Sequence, residues 1–292
     1  MNSYQKKNAN RRAFLKNIAE DTINIVRVTK KYKVNNKEID ISEQIDESIE
    51  GTILYKPDVS FDSRIKPLDQ KRRGHIEVVN ETTLHAAIRL AKDLNVPQDE
   101  IVVLNFASAR NPGGGFDKGA NAQEESIARQ SSLIVSIAQE SVSEMYNYNK
   151  KEKSILYSDY MIYTPSAVIF RDDEEKYLSE PFLTNVITCP AANLKEYQGS
   201  INMDEVHRVM LQRCRKIIQV AILNDNTSIV LGAFGCGVFK NSPADVANYF
   251  RTILIDEHYI DFFDEVVFAI INGPNAHFTT FQNIFNGEVE TK

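Results

Sequence analysis

The chain has 292 residues, enough to bury a full core and near the upper end of single-domain sizes. A formal charge of −6 and a pI near 5.5 exclude broad attraction to DNA or to an anionic membrane, although an anion site made of backbone amides escapes such a count. No apolar run is long enough to span a bilayer, residues 1–12 do not read as a secretory signal, and Cys189, Cys214 and Cys236 lack metal-type spacing, so an intracellular, cytoplasmic protein without a metal or cofactor is expected.

Strand and helix signals alternate, the pattern of a layered α/β fold. Residues 11–23 are predicted to form a helix with Phe14 or Leu15, Ile18 and Thr22 on one side. Short strands follow at 26–34 and 38–41, turning at Asn35-Asn36. From 42 to 74 no periodicity persists, and Pro57, Pro67 and the run Lys71-Arg72-Arg73 suggest an irregular, solvated connection. Residues 1–74 are therefore read as an N-terminal extension packed on a main body of residues 75–292.

The body opens with a strand at 76–79 and a helix marked by Leu84, Ala87, Ile88, Ala91 and Leu94. Ile101–Phe106 is nearly all apolar, as in a strand covered on both faces. Ile127, Ile134, Ala138, Val142 and Met145 mark one long helix, and strands at 160–163 and 183–188 each end at a proline, Pro165 and Pro190. Met203, Val206, Met210, Cys214, Ile217 and Ala221 form another helical stripe. Between strands at 228–234 and 266–271, Val246, Tyr249, Phe250, Ile253 and Leu254 predict a helix capped by Ser242, with Pro243 first and Asp245 completing the box.

Two glycine loops follow two of the apolar strands. The first contains Gly113, Gly114, Gly115 and Gly119; the second runs Gly232-Ala-Phe-Gly-Cys-Gly-Val-Phe-Lys240. Ligands collect beyond the carboxyl ends of strands in an open α/β sheet, and amide nests at helix starts favour anions. Two such loops on neighbouring strands are able to clasp a diphosphate. The plain alternative is tight turning, which three adjacent glycines and a second Gly-x-Gly weigh against. Neither loop matches the nucleotide-triphosphate or dinucleotide fingerprint.

Gln123, Glu124 and Glu125 open the helix after the first loop. Adjacent helical side chains diverge by about 100°, so the two carboxylates do not address one atom alike. As mere decoration of a helix N-terminus they contribute ~0.3–1 kcal/mol; beside three glycines they read as acid–base groups. The five histidines (75, 85, 207, 258 and 277) have no ligand spacing, and the short basic run reads as solvated loop. Asn193 and Asn272 lie near strand ends.

The segment Asn105-Phe-Ala-Ser-Ala-Arg-Asn-Pro-Gly-Gly-Gly-Phe, with the Gln-Glu-Glu that follows, resembles the microbial-type poly(ADP-ribose) glycohydrolases. So do Val79-Asn-Glu-Thr-Thr-Leu84, Tyr157-Ser-Asp-Tyr-Met-Ile-Tyr163, Phe170-Arg-Asp-Asp173, Val186-Ile-Thr-Cys-Pro-Ala-Ala-Asn193 and Leu231-Gly-Ala-Phe-Gly-Cys-Gly-Val-Phe239. The opening helix, with Ala19-Glu-Asp-Thr22, looks like that family's start. The resemblance implies a macrodomain-like three-layer α/β/α fold with a mixed central sheet, here with an N-terminal extension. It implies diphosphate contacts from Gly235, Cys236, Gly237 and Val238, and packing of Phe239 on the distal ribose.

Gly113, Gly114 and Gly115, with Asn111 and Phe116 beside them, would wrap the diphosphate and that ribose from the other side. Asn105 falls in the ribose-recognising segment, where Ser108 replaces the asparagine common in related folds. Glu125 is implied as the catalytic acid and base, with Glu124 orienting a ribose hydroxyl beside Gln123. The expected reaction releases ADP-ribose from poly(ADP-ribose). Alternatives are a hydrolase for single ADP-ribose units on protein acceptors, and a non-catalytic ADP-ribose reader.

Overall fold

The computed structural model describes residues 3–66, 68–197, 199, 202–273 and 276–286, with side chains from residue 7 onward. Its elements run α1 (Ser3–Asn24), β1 (Lys31–Val34), β2 (Lys37–Asp40), α2 (Ser42–Glu50), β3 (Ile53–Tyr55), β4 (His75–Val79), α3 (Thr83–Asp93) and β5 (Ile101–Phe106). Then come α4 (Gln123–Gln130), α5 (Leu133–Ile137), α6 (Glu144–Glu152), β6 (Met161–Arg171), β7 (Tyr177–Cys189) and α7 (Met203–Leu223). The chain continues through β8 (Ser228–Leu231), α8 (Pro243–Arg251), β9 (Glu265–Ala269) and α9 (His277–Phe285).

A seven-stranded sheet has the order β3-β6-β7-β5-β8-β9-β4. The run from β7 to β4 is parallel, while β6 pairs antiparallel with β7 and β3 with β6. Two hydrophobic cores explain why β5 is so uniformly apolar. Ile101 and Val103 face a layer built by α2 to α6, and Val102 and Leu104 face one built by α7, α8 and α9. Strands β8 and β9 divide in the same manner, with Val230 and Val267 in the first core and Ile229, Leu231, Val266 and Phe268 in the second. A strand buried on both faces needs apolar residues at consecutive positions.

Several segments depart from the sequence expectation. Residues 26–29 are not strand: Ile25–Thr29 continues α1 as a π turn that buries Ile25 and Val26, and Lys30 closes it at φ 49°. The predicted turn follows, with Asn35 and Asn36 at φ 50° and 63° between β1 and β2. Residues 42–74 are less irregular than expected. Ile41, Ile45 and Ile49 recur every fourth position, a stripe too narrow to stand out in sequence, and fix α2 against the first core. β3 then joins the main sheet opposite Met161–Tyr163, and Lys71, Arg72 and Arg73 pair with Asp261, Asp264 and Glu265. Pro67 lies outside the described residues.

The long helix expected from Ile127 to Met145 is broken into α4, α5 and α6. Ser131 is extended (φ −142°, ψ 173°) and bridges to Ile169, while Ser132 exchanges hydrogen bonds with Val168. Strand β6 thus captures two serines that compete with helical hydrogen bonding. Pro165 does not end a strand either. It sits at a bulge in β6, where Ser166 is left-handed (φ 47°) and donates its N–H to Asn185. Ser242 caps α8 by accepting the Asp245 N–H, with Pro243 in the first turn, as the sequence predicts.

Candidate active site

A cleft of about 710 Å³ opens at the carboxyl ends of the parallel strands. Its walls come from Thr82 after β4, Phe106 of β5, Ala191 after β7, the loop after β8, and Ile270 after β9. This is where ligands bind in open α/β sheets. The start of α4 closes one side through Ala122, Gln123 and Ser126.

The loop after β8 is shaped for an approaching anion. Gly235 is left-handed (φ +73°), and a Cβ there would lie 2.5 Å from Ala191 Cβ and 2.6 Å from Asn241 Nδ2. Asn241 fastens the turn by donating to Ala192 O (2.8 Å) and Gly235 O (3.1 Å). A Cβ on Gly237 would meet nothing within 4 Å, so ligand atoms have open access to that backbone. The N–H groups of Val238 and Phe239 have no hydrogen-bond partner among the described residues. Cys236 is buried, and that burial pushes its thiol up to about 12, which makes it a packing group.

The first glycine loop is built differently. Glu125 Oε1 accepts the Gly115 N–H (3.1 Å) and Oε2 accepts the Ala122 N–H (2.8 Å). Glu124 is 4 % exposed, and its Oε2 accepts the Ser108 N–H at 2.7 Å. A Cβ on Gly114 (φ +59°) would fall 2.5 Å from Glu125 Oε1 and 2.9 Å from Glu124 Oε2. The loop is therefore a lid of bare backbone over two carboxylates. Two further amides turn inward, Gly114 to Asn111 O and Phe116 to Gly113 O.

Burial holds the Glu124 carboxyl well above the usual range; the Ser108 N–H works against this, and the charge of Glu125 adds to it. Its Oε1 has no partner among the described residues. Glu125 is half-buried, and its two backbone donors leave acceptor capacity on both oxygens. Burial thus separates two neighbours of identical chemistry.

The sequence-derived residues do not all reach one space. Gln123, Gly235, Gly237, Val238 and Phe239 line the large cleft, whereas Asn111, Gly114 and Phe116 line a second cavity of about 440 Å³. Neither carboxylate lines the large cleft. Their oxygens lie against Gly114 of the second cavity, and their helix neighbours line the first.

Gln123 is a brace: its side chain accepts from Phe106 N and donates to Leu104 O and Thr83 Oγ1, locking α4 to the end of β5. Asn105 is fully buried and donates to Thr188 Oγ1 (3.2 Å). Asn193 reaches Tyr157, and Asn272 N–H binds Asn80.

Sequence reasoning passed over Thr82, Asp173 and His277, all in the cleft wall. Thr82 donates to Asp173 across two connections (2.8 Å), a pairing no local pattern announces. Among the described residues, no three His, Cys, Asp or Glu side chains are grouped to hold a metal ion, and no helix is long and apolar enough to cross a membrane.

This mixed sheet between helical layers, with its cleft at the strand ends, is macrodomain-like. The family model for the microbial-type PARG catalytic domain matches residues 19–172. The poly(ADP-ribose) glycohydrolase (PARG) of Thermomonospora curvata superposes with a TM-score of 0.87 at 35% identity, covering 95% of this chain and 100% of that one. The same enzyme bound to the inhibitor ADP-HPD gives 0.83 at 35% identity, over 94% and 99%. The enzyme of Deinococcus radiodurans in complex with ADP-ribose gives 0.77 at 35% identity, over 86% and 100%. No curated protein sequence matches. The chain belongs to the microbial-type poly(ADP-ribose) glycohydrolase family and is a hydrolase of that class.

Proposed function

We propose that the cleft takes the terminal ADP-ribose unit of poly(ADP-ribose), its distal ribose reaching past the α4 wall of Gln123 and Ser126 toward the carboxylates, and that Glu125 handles the proton for its release. The observation that carries this reading is the pinning of Glu125 by two backbone N–H groups, one from the glycine loop and one from the helix start. Such a carboxyl cannot swing away, and positioned acids contribute typically ~10²–10⁴-fold.

The diphosphate would lie on the open backbone of Gly235 to Val238, taking the free N–H groups of Val238 and Phe239. Phe239 would pack on the distal ribose, while Glu124, whose carboxyl burial holds above the usual range, offers its unpartnered oxygen to a ribose hydroxyl. Glu125 then protonates the leaving 2′-oxygen as the anomeric C–O bond breaks through an oxocarbenium-like state. It next takes a proton from the water that adds to the anomeric carbon, which restores the acid. The two-carboxylate glycosidase scheme does not transfer, because adjacent residues do not flank the bond. The substrate's own diphosphate helps to hold the water and stabilise the cation.

Residues 1–74 serve this site as an extension of the 75–292 body that also supplies β3 to the edge of its sheet. Arg12 Nε donates to Lys118 O (2.8 Å), and Thr22 Oγ1 donates to Arg129 O (2.6 Å), so α1 braces both the glycine loop and α4.

The test is ADP-ribose release from poly(ADP-ribosyl)ated and, separately, mono(ADP-ribosyl)ated protein. Glu125→Gln is expected to lose at least about 10²-fold in kcat with a native circular dichroism spectrum; release at the wild-type rate would remove Glu125 from the mechanism. Release from the mono-modified protein alone would favour the single-unit hydrolase, and binding without release the reader.

A further inference from the structure

Arg110 and Tyr157 line neither cavity, yet both connect to the large cleft. The Tyr157 ring lies 6.0 Å from that of Phe239, which does line it, and the Arg110 guanidinium sits 5.4 Å over the Tyr157 ring. Arg110 is two residues beyond Ser108, whose N–H holds Glu124. The pair therefore joins the carboxylate loop to the diphosphate loop, outside the lining of both cavities.

Two features set this pair apart. The other buried or half-buried arginines among the described residues, Arg89, Arg129, Arg171, Arg213, Arg215 and Arg251, each meet a carboxylate. The Arg110 side chain has no hydrogen-bond or ion-pair partner among the described residues, and its Nε is buried without one. Tyr157 is held at φ 55°, left-handed for a bulky residue, and its hydroxyl accepts from Asn193 (3.2 Å), which also donates to Glu196 (2.9 Å). An unpaired cation over a fixed aromatic plate suits a phosphate joined to a base or sugar.

We propose that Arg110 and Tyr157 form the subsite for the unit on the leaving side of the scissile bond. Arg110 takes a phosphate oxygen of that unit, and the Tyr157–Phe239 wall supports its base or ribose. This rests on the reading given under Proposed function and adds a preference to it. A single ADP-ribose on a protein side chain presents no phosphate beyond the bond, so the subsite favours polymer.

The experiment compares the full chain on poly(ADP-ribose) and on ADP-ribose carrying a small aryl group at its anomeric oxygen, with ADP-ribose affinity as a second reference. Arg110→Ala is expected to lower kcat/KM on polymer by roughly tenfold, mainly through KM, the size of one lost charge-assisted contact. The ratio of polymer to aryl turnover, or to ADP-ribose affinity, falls by the same factor. Arg110→Lys recovers part of it, and Tyr157→Leu lowers the ratio in the same direction. Equal losses on both substrates, or polymer turnover at the wild-type level, overturn the subsite. A wild-type chain that frees no ADP-ribose from polymer would instead strike at the underlying reading, so the two failures are distinguishable.

Discussion

The two glycine loops are alike in composition and opposite in use. In the first, amides and open space are consumed within the protein: Gly115 N–H binds Glu125, and Gly114 leaves room for two carboxylate oxygens. In the second, a single glycine makes the turn, while Gly237 and the N–H groups of Val238 and Phe239 stay open to the cleft. One loop positions acids and the other awaits an anion. Missing Cβ atoms therefore mark close approach without saying whether the neighbour is the protein or its ligand.

Substitutions that act on one loop alone separate these roles. Gly114→Ala is the severest, because its Cβ collides with both carboxylates at a left-handed position. Turnover should fall by at least about 10²-fold, the cost of displacing a catalytic group by about 1 Å, while the circular dichroism spectrum stays native. Wild-type turnover in this variant would show that the lid does not position the acids.

Gly235→Ala strikes the other loop. Its Cβ meets Ala191 and Asn241 at φ +73°, so a stability loss of about 1–3 kcal/mol in urea unfolding is expected, together with weaker ADP-ribose binding. Native stability would mean that the turn relaxes.

Glu124→Gln probes the buried acid through pH. The folded carboxyl sits above the usual glutamate range because of burial, so the native state retains a proton that the unfolded chain releases. This contribution is complete below the ordinary glutamate value and is lost as pH rises through the folded value, by at most about 1.4 kcal/mol per pH unit. The variant should therefore gain stability relative to wild type with rising pH across that window. Parallel pH profiles would sink the assignment. Gly237→Ala is the mildest: unfolding free energy should stay within about 0.5 kcal/mol of wild type. ADP-ribose affinity should still drop, because the added methyl projects into open space at the anion nest.

Much of the architecture was legible in the residues. Ile101–Phe106 reads as a doubly covered strand, and Ser242, Pro243 and Asp245 mark the start of α8 without reference to distant contacts. The interruptions were not legible. Ser131 and Ser132 sit in a sequence with helical spacing, and only the approach of β6 pulls them out of the helix. The same holds for α2, whose one-residue-per-turn stripe gains meaning against the first core.

What the sequence by itself determined is the chemical inventory and its local placement: two glycine loops after strands, and two acids on the first turn of a helix. Burial was decided by tertiary structure, which sank Glu124 and left Glu125 half-buried. It also set Thr82 against Asp173 and Arg110 over Tyr157. The physical reason is range: turns, caps and periodicity act over a few residues, whereas desolvation and contact depend on what the rest of the chain brings alongside.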